Sequence, residues 1–97
     1  MTIQKTILEN ETVLALDGYL DTKSAPELTD ALEALDADTP ALVFDMTELK
    51  YISSAGVRVL VAAHKKMGGK FSLRHVNLEV RDVLHMVGVD KRFHIEP

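Results

Sequence analysis

The stretch that decides the fold is Asp45-Met-Thr-Glu-Leu-Lys-Tyr-Ile-Ser-Ser-Ala-Gly-Val57. It leaves an apolar strand and opens a helix with two adjacent serines, Ser53 and Ser54. At a helix N-terminus the backbone N–H groups point outward, and the helix dipole favours negative charge. A serine hydroxyl at this junction is therefore a good position for adding and removing a phosphate.

The same two serines have a purely structural interpretation. Serine is a preferred helix N-cap, and losing such a cap costs about 1 kcal/mol of stability. Ala55 and Gly56 leave little steric cover around the hydroxyls, as entry of a kinase requires. The residues alone leave open whether either serine is more than a cap.

Apolar periodicity outside this stretch predicts strands interleaved with helices. Ser24 is the expected N-cap of the first helix, with Glu27 completing a capping box. Gly18 is expected to break the second strand, and the apolar run that ends at Asp45 is typical of a central strand covered on both faces. The expected elements are strands 3–7 and 12–16, helix 24–36, strand 41–44, a helix from 53 or 54 to 67, strand 71–73, a helix capped by Asn77 and stopped by Gly88, and a short strand 93–95.

The order of these elements predicts the fold class. An initial hairpin feeds β-α-β units, and such units give a mixed sheet packed with helices. The prediction is a single α/β domain over residues 1–97, with a mixed sheet of four to five strands and about three main helices.

Composition excludes several classes of function. The chain has 97 residues and no cysteine, so disulfides, thiolate metal sites and thiol nucleophiles are impossible. Its apolar runs are far shorter than the roughly 20 residues that span a bilayer. The N-terminus lacks the pattern of a signal peptide. These features predict a cytoplasmic protein without direct membrane insertion.

Charge is distributed unevenly along the chain. The net charge of −4 argues against nucleic-acid binding. Residues 1–48 hold eleven acids and two bases, whereas residues 49–78 hold six bases and no acid. The basic segment contains the serine-headed helix. It is either a solvated helix face or a basic surface that meets an acidic patch on a partner.

The chain offers little catalytic machinery. His64 follows Ser54 by ten residues on the same predicted helix, about 15 Å away, whereas a general base must lie within about 3 Å. The four histidines are scattered, with no helical metal-binding pair. We therefore predict no catalytic residues, no metal, no cofactor and no enzymatic activity.

Two motifs give the chain a family resemblance. One is Asp45 followed by Tyr51-Ile52 and then Ser53-Ser54-Ala55-Gly56-Val57. The other is Gly18-Tyr19-Leu20-Asp21 with the small Ala25 at the start of the next helix. Together they resemble the STAS domain family, and within it the stand-alone anti-sigma factor antagonists. The resemblance extends over essentially the whole chain.

The resemblance implies partner switching. An unmodified antagonist binds an anti-sigma factor that is also a serine kinase, which frees a sigma factor for transcription. Phosphorylation of the serine that matches Ser54 breaks the complex, and a serine phosphatase restores it. Ser53 is the competing acceptor, because the commonest family pattern has aspartate at that position. The residues expected to bind the partner are Asp21, Asp45, Ser53, Ala55, Gly56 and Arg58.

Two other functions stay open at this point. STAS-like modules also serve as accessory or regulatory subunits of membrane transporters, including anion transporters and lipid-transport complexes. Some family members are thought to bind nucleotides, so a small-ligand sensor is a third reading. Copurification with a permease or an ATPase would favour the transporter role, and a thermal shift with nucleotides would favour the sensor.

Overall fold

Strands and helices alternate after an initial pair of strands. The computed structural model of the chain describes residues 1–96. The elements are β1 (Thr2–Ile7), β2 (Thr12–Leu20), α1 (Ala25–Glu33), β3 (Leu42–Ile52), α2 (Ser54–Lys66), β4 (Phe71–Arg74), α3 (Leu78–Met86) and β5 (His94–Ile95).

The sheet has the strand order β1-β2-β3-β4-β5, with β1 antiparallel to β2 and every other pair parallel. This arrangement confirms the predicted hairpin followed by β-α-β units. Because each crossover joins neighbouring strands in the same direction, right-handed connections place all three helices on one face. The helices and that face form one apolar core, whose members include Leu14, Leu16, Leu28, Leu32, Phe44, Leu60, Leu73 and Leu84.

The prediction that the central strand is covered on both faces is confirmed for residues 42–44, which are all buried, although helices cover only one of the two faces. Val43 of β3 is 2% exposed, yet it lies outside the core cluster beneath the helices. On its face of the sheet, Arg74 reaches across β3 to Glu11 (Nη2–Oε2 3.2 Å) and also binds Glu96 (Nε–Oε1 3.1 Å). A charged network therefore covers the face of the sheet that the helices leave open.

The two central strands are longer than predicted. β2 continues past Gly18 to Leu20. Gly18 has a φ of +113°, which glycine adopts without the steric cost that a side chain would bring, so the irregular residue stays within the strand. β3 continues past Asp45 through the region expected to be a loop and ends at Ile52. The second half of β3 pairs with β2 alone, since β4 pairs only with the first half.

Two bulges explain the apolar pattern of this extension. β3 carries one extra residue between the partners of Ala15 and Asp17, and Lys50 is a second extra residue. Because each bulge adds one residue, side chains on either side of it point to the same face of the sheet when they are three residues apart instead of two. Met46, Leu49 and Ile52 are consequently all buried in the core.

Ser24 occupies the N-cap position of α1 as predicted, but the predicted capping box is wrong because its side chain makes no capping hydrogen bond. The backbone of Ser24 is already near-helical. Its hydroxyl instead donates to the carbonyl of Tyr19 at 2.6 Å and accepts from the N–H of Asp21 at 2.9 Å. Ser24 therefore closes the loop between β2 and α1.

The predicted ends of the other helices are confirmed. The side chain of Asn77 accepts the N–H of Val80 at 2.8 Å and caps α3. Gly68 and Gly88 follow α2 and α3 with φ values of +59° and +77°, the left-handed conformation that commonly terminates helices.

The first turn of α2 packs against the ends of β2 and β3. Gly56 is buried there, and a Cβ atom at this position would lie 2.7 Å from Cγ of Leu20 and 2.8 Å from Cγ1 of Ile52. Only glycine permits this approach without displacement of both side chains. The contact fixes where the serine-headed helix begins.

Replacement of Gly56 by alanine should therefore destabilise the domain. Alanine ordinarily stabilises a helix interior by roughly 0.5–1 kcal/mol relative to glycine, but overpacking of a core costs typically 1–3 kcal/mol. We expect urea denaturation to give a lower free energy of unfolding for Gly56→Ala than for the wild type. Ala62→Gly, at an exposed position of α2, serves as the control, because it measures the difference in helix stability between alanine and glycine without any change in core packing. A Gly56→Ala protein more stable than the wild type would contradict the packing account.

Candidate functional site

Ser53 is the N-cap of α2. Its backbone is extended (φ −101°, ψ 176°), and its hydroxyl accepts the N–H of Gly56 at 3.4 Å. Its carbonyl accepts the N–H of Val57 at 3.0 Å, while its own N–H donates to the carbonyl of Leu20 at 2.9 Å. Ser53 therefore joins the end of β2 to the start of α2, and its half-buried hydroxyl takes part in that structure.

Ser54 occupies the next position, which is the first residue of α2, and its side chain is exposed. Within residues 1–96 its hydroxyl makes no hydrogen bond. The neighbouring Ala55 is half-buried, and Gly56 faces the core. The two candidate hydroxyls are thus separated by geometry: Ser53 caps the helix, and Ser54 is open to solvent.

Asp21 lies beside this junction, because the residue before it accepts the N–H of Ser53. Its carboxylate accepts the N–H groups of Lys23 and Ser24, each at 3.0 Å, and its Oδ1 lies 3.1 Å from the Ser24 hydroxyl oxygen. The Ser24 N–H is the main cause that lowers the pKa of Asp21 below its ordinary value. The structure therefore presents a fixed negative charge next to the two serines.

Two exposed tyrosines lie at the ends of β2 and β3, directly before the core residues Leu20 and Ile52, and sequence reasoning missed them as functional residues. Tyr19 and Tyr51 are paired across β2 and β3, with ring centroids 6.5 Å apart. They are 57% and 48% exposed and lie two residues before Asp21 and Ser53 respectively. The signal was present in the two motifs, which place an aromatic residue before each end of the junction. The sequence alone does not show that β2 and β3 pair as far as Tyr19 and Tyr51, and this pairing is what brings the two rings together.

Asp45 lies away from the serine junction. Asp45 precedes Ile52 by seven positions along β3, which places it about 20 Å from the serine junction at roughly 3.3 Å per residue with two bulges between. Its carboxylate accepts the hydroxyl of Thr47 at 2.6 Å and lies 3.2 Å from Nδ1 of His75. Partial burial raises the pKa of Asp45. The hydrogen bonds from Thr47 and His75 lower it by more, so the net pKa is below the ordinary value for aspartate.

The basic segment contributes one cation near the serines on α2. Arg58 is exposed one turn after Ser54, and no acidic residue occurs in the first turn of this helix. Lys65 and Lys66 lie at the far end of α2, and Arg74 belongs to the network on the opposite face of the sheet. Lys50, which is exposed on β3 three residues before Ser53, is the other base of the segment close to the serines in sequence, so only part of the basic segment lies near the junction.

His64 and His85 make contacts away from the serines. His64 packs between Phe71 and Phe93, with ring centroids 6.4 Å and 5.8 Å away, at the far end of α2 from Ser54. His85 Nδ1 lies 3.0 Å from Asp90, which raises the pKa of the imidazole by a hydrogen bond and by charge. Among residues 1–96, no group of three or more histidine or acidic side chains is arranged to hold a metal.

The helices of the described region are also too short or too polar to cross a membrane. The longest, α2, has 13 residues, compared with the roughly 20 that a bilayer requires.

Comparison with known proteins agrees with this architecture. The family profile described as "Mlab, STAS domain" matches residues 3–97. The chain is 33% identical over 86 residues to the anti-sigma-F factor antagonist RsfB of Mycobacterium tuberculosis, which covers 86% of this chain and 70% of that protein.

Solved structures give the same result. The crystal structure of an anti-sigma factor antagonist from Mycobacterium paratuberculosis superposes with a TM-score of 0.88 at 30% identity, covering 99% of this chain and 85% of that one. SpoIIAA in its unphosphorylated form shares the fold, with a TM-score of 0.79 at 17% identity over 99% of this chain and 89% of that one. Because the family profile spans nearly the whole sequence, this chain belongs to the STAS domain family.

Proposed function

We propose that the chain is an anti-sigma factor antagonist that is switched off by phosphorylation of Ser54. The unmodified protein binds an anti-sigma factor with serine-kinase activity and so frees a sigma factor, which places it in the cytoplasm. A serine phosphatase restores the unmodified form. The names of RsfB and of the Mycobacterium paratuberculosis protein support the role, and the role needs no catalytic group on this chain.

The proposal is supported most directly by the different environments of the two serines. Ser53 holds the start of α2 in place, whereas Ser54 is exposed and free of hydrogen bonds within residues 1–96. A kinase can therefore modify Ser54 without dismantling the cap. The phosphoryl group would pass from ATP to the Ser54 oxygen, which gives up its proton as ADP leaves.

The expected effect of the phosphate is local. It adds about −1.5 to −2 charges at a helix N-terminus, where the fold tolerates negative charge. A partner packed over Ser54 and the tyrosine pair would have to accommodate both that charge and the bulk of the group. Binding is then lost while the domain stays folded.

A pull-down from extract of the source organism tests the proposal. Baits carrying wild-type Ser54 and Ser54→Ala should retain a serine-kinase-like anti-sigma factor, and Ser54→Asp should retain at least tenfold less, measured by quantitative mass spectrometry. Equal recovery of that partner by all three baits would rule out the switch. Equal recovery of transporter subunits instead would support the accessory-subunit role.

The two serines should also separate in stability measurements. Ser53→Ala removes the cap and should lower the free energy of unfolding by about 1 kcal/mol. Ser54→Ala removes no hydrogen bond made within the described residues, so its unfolding free energy should change by less than about 0.5 kcal/mol. Urea denaturation of both variants measures the difference. The reverse order would mean that Ser54 is the cap.

The tyrosine pair should supply much of the affinity. Exposed aromatic residues at the centre of an interface are frequent hot spots, worth about 2 kcal/mol or more. We expect Tyr19→Ala and Tyr51→Ala each to weaken binding of the captured partner by at least tenfold in titration calorimetry. Met86→Ala, at an 82% exposed position on α3, is the matched control and should bind normally. Full affinity in both tyrosine variants would place the interface elsewhere.

A further inference from the structure

We propose that the guanidinium of Arg58 receives the phosphoryl group on Ser54 and holds it within the same helix. The inference deepens the proposed function and rests on it in one respect, namely that Ser54 is the residue that carries the phosphate. It assigns to Arg58 the role of a built-in phosphoserine receptor.

The helical geometry brings the two side chains together. Ser54 and Arg58 are four residues apart in α2, and both are exposed. Side chains at this spacing are neighbours on a helix surface, with Cβ atoms about 5–6 Å apart. Long side chains in helices also lean toward the N-terminus and cover the preceding turn. The guanidinium of Arg58 is thus carried toward the Ser54 oxygen.

Arg58 is available for this contact. Among residues 1–96 no carboxylate lies within 4 Å of its guanidinium, in contrast to Arg74, which Glu96 and Glu11 hold. The first turn of α2 also lacks an acidic residue that could compete within the helix. The charge of Arg58 is therefore uncommitted in the unmodified protein.

The charges on the neighbouring loop do not replace Arg58. Asp21 lies on the other side of the junction and is negatively charged, so it repels a phosphate. Lys23 is exposed on that loop and Lys50 is exposed on β3, three residues before Ser53, so both are competing cations. Arginine has the better chemistry, because its planar guanidinium can donate two parallel hydrogen bonds to phosphate oxygens, whereas lysine acts as a point charge.

This pairing gives the switch a second component. Phosphorylation would place a negative charge at the centre of the surface and would also withdraw the positive charge of Arg58 from it. A partner whose acidic groups meet Arg58 in the unmodified complex would lose that attraction and gain a repulsion. One modification then changes two charges on the same turn of helix.

The experiment installs phosphoserine at position 54 during translation, so no kinase or partner is needed. Phosphorus NMR measures the pKa of the phosphate, whose second ionisation lies near 6 for phosphoserine. Because Arg58 stabilises the dianion, Arg58→Gln should raise this pKa by about 0.5 unit, or about 0.7 kcal/mol. Arg58→Lys should give an intermediate value.

Two matched controls each remove one positive charge elsewhere. Lys65→Gln lies on the same helix about 16 Å from Ser54, and Lys23→Gln removes the competing cation on the neighbouring loop. Both should leave the phosphate pKa within about 0.1 unit of that in the wild-type background, which is far below the 0.5 unit expected for Arg58→Gln. Amide NMR spectra establish that each variant is folded.

An unchanged pKa in Arg58→Gln, or a larger shift in Lys23→Gln, would overturn the assignment. This result is independent of partner binding, which the pull-down measures. A failed titration with a working pull-down would remove the receptor alone, and a failed pull-down would remove the proposed function.

Discussion

The contact of Gly56 with Leu20 and Ile52 is the constraint on which the functional surface depends. Because a side chain is absent at Gly56, the first turn of α2 approaches the ends of β2 and β3 closely. The hydrogen bond from the Ser53 N–H to the Leu20 carbonyl fixes the same junction through the backbone. These two contacts decide that Ser53 turns inward as a cap and that Ser54 faces solvent.

The same junction gathers residues that are distant in the sequence. Asp21 is brought to the serines by the end of β2, and the tyrosine pair is brought there by the register between β2 and β3. A charged group, an aromatic pair and a free hydroxyl thus lie within a few residues of the point where β2 and β3 end and α2 begins. This arrangement suits a binding surface that one local modification can alter without unfolding the domain.

The sequence predicted the order and type of every element, because apolar periodicity and helix caps are local signals. The sequence did not predict the second half of β3, whose pairing with β2 contains two bulges. Met46, Leu49 and Ile52 are spaced three residues apart, and all three can face the core from a strand only because one bulge lies within each interval. No local rule reveals such bulges. Asp45 was consequently expected near the serines, although the extension of β3 places it about 20 Å away.

Ser53 is the N-cap of α2, and Ser54 is the proposed phosphoacceptor. Tandem mass spectrometry of the native protein, purified with phosphatase inhibitors, tests this assignment most directly, because fragment ions that divide the Ser53–Ser54 bond assign the phosphate to one serine. The account predicts phosphate on Ser54 alone. Phosphate on Ser53, whose hydroxyl holds the first turn of α2, would contradict it.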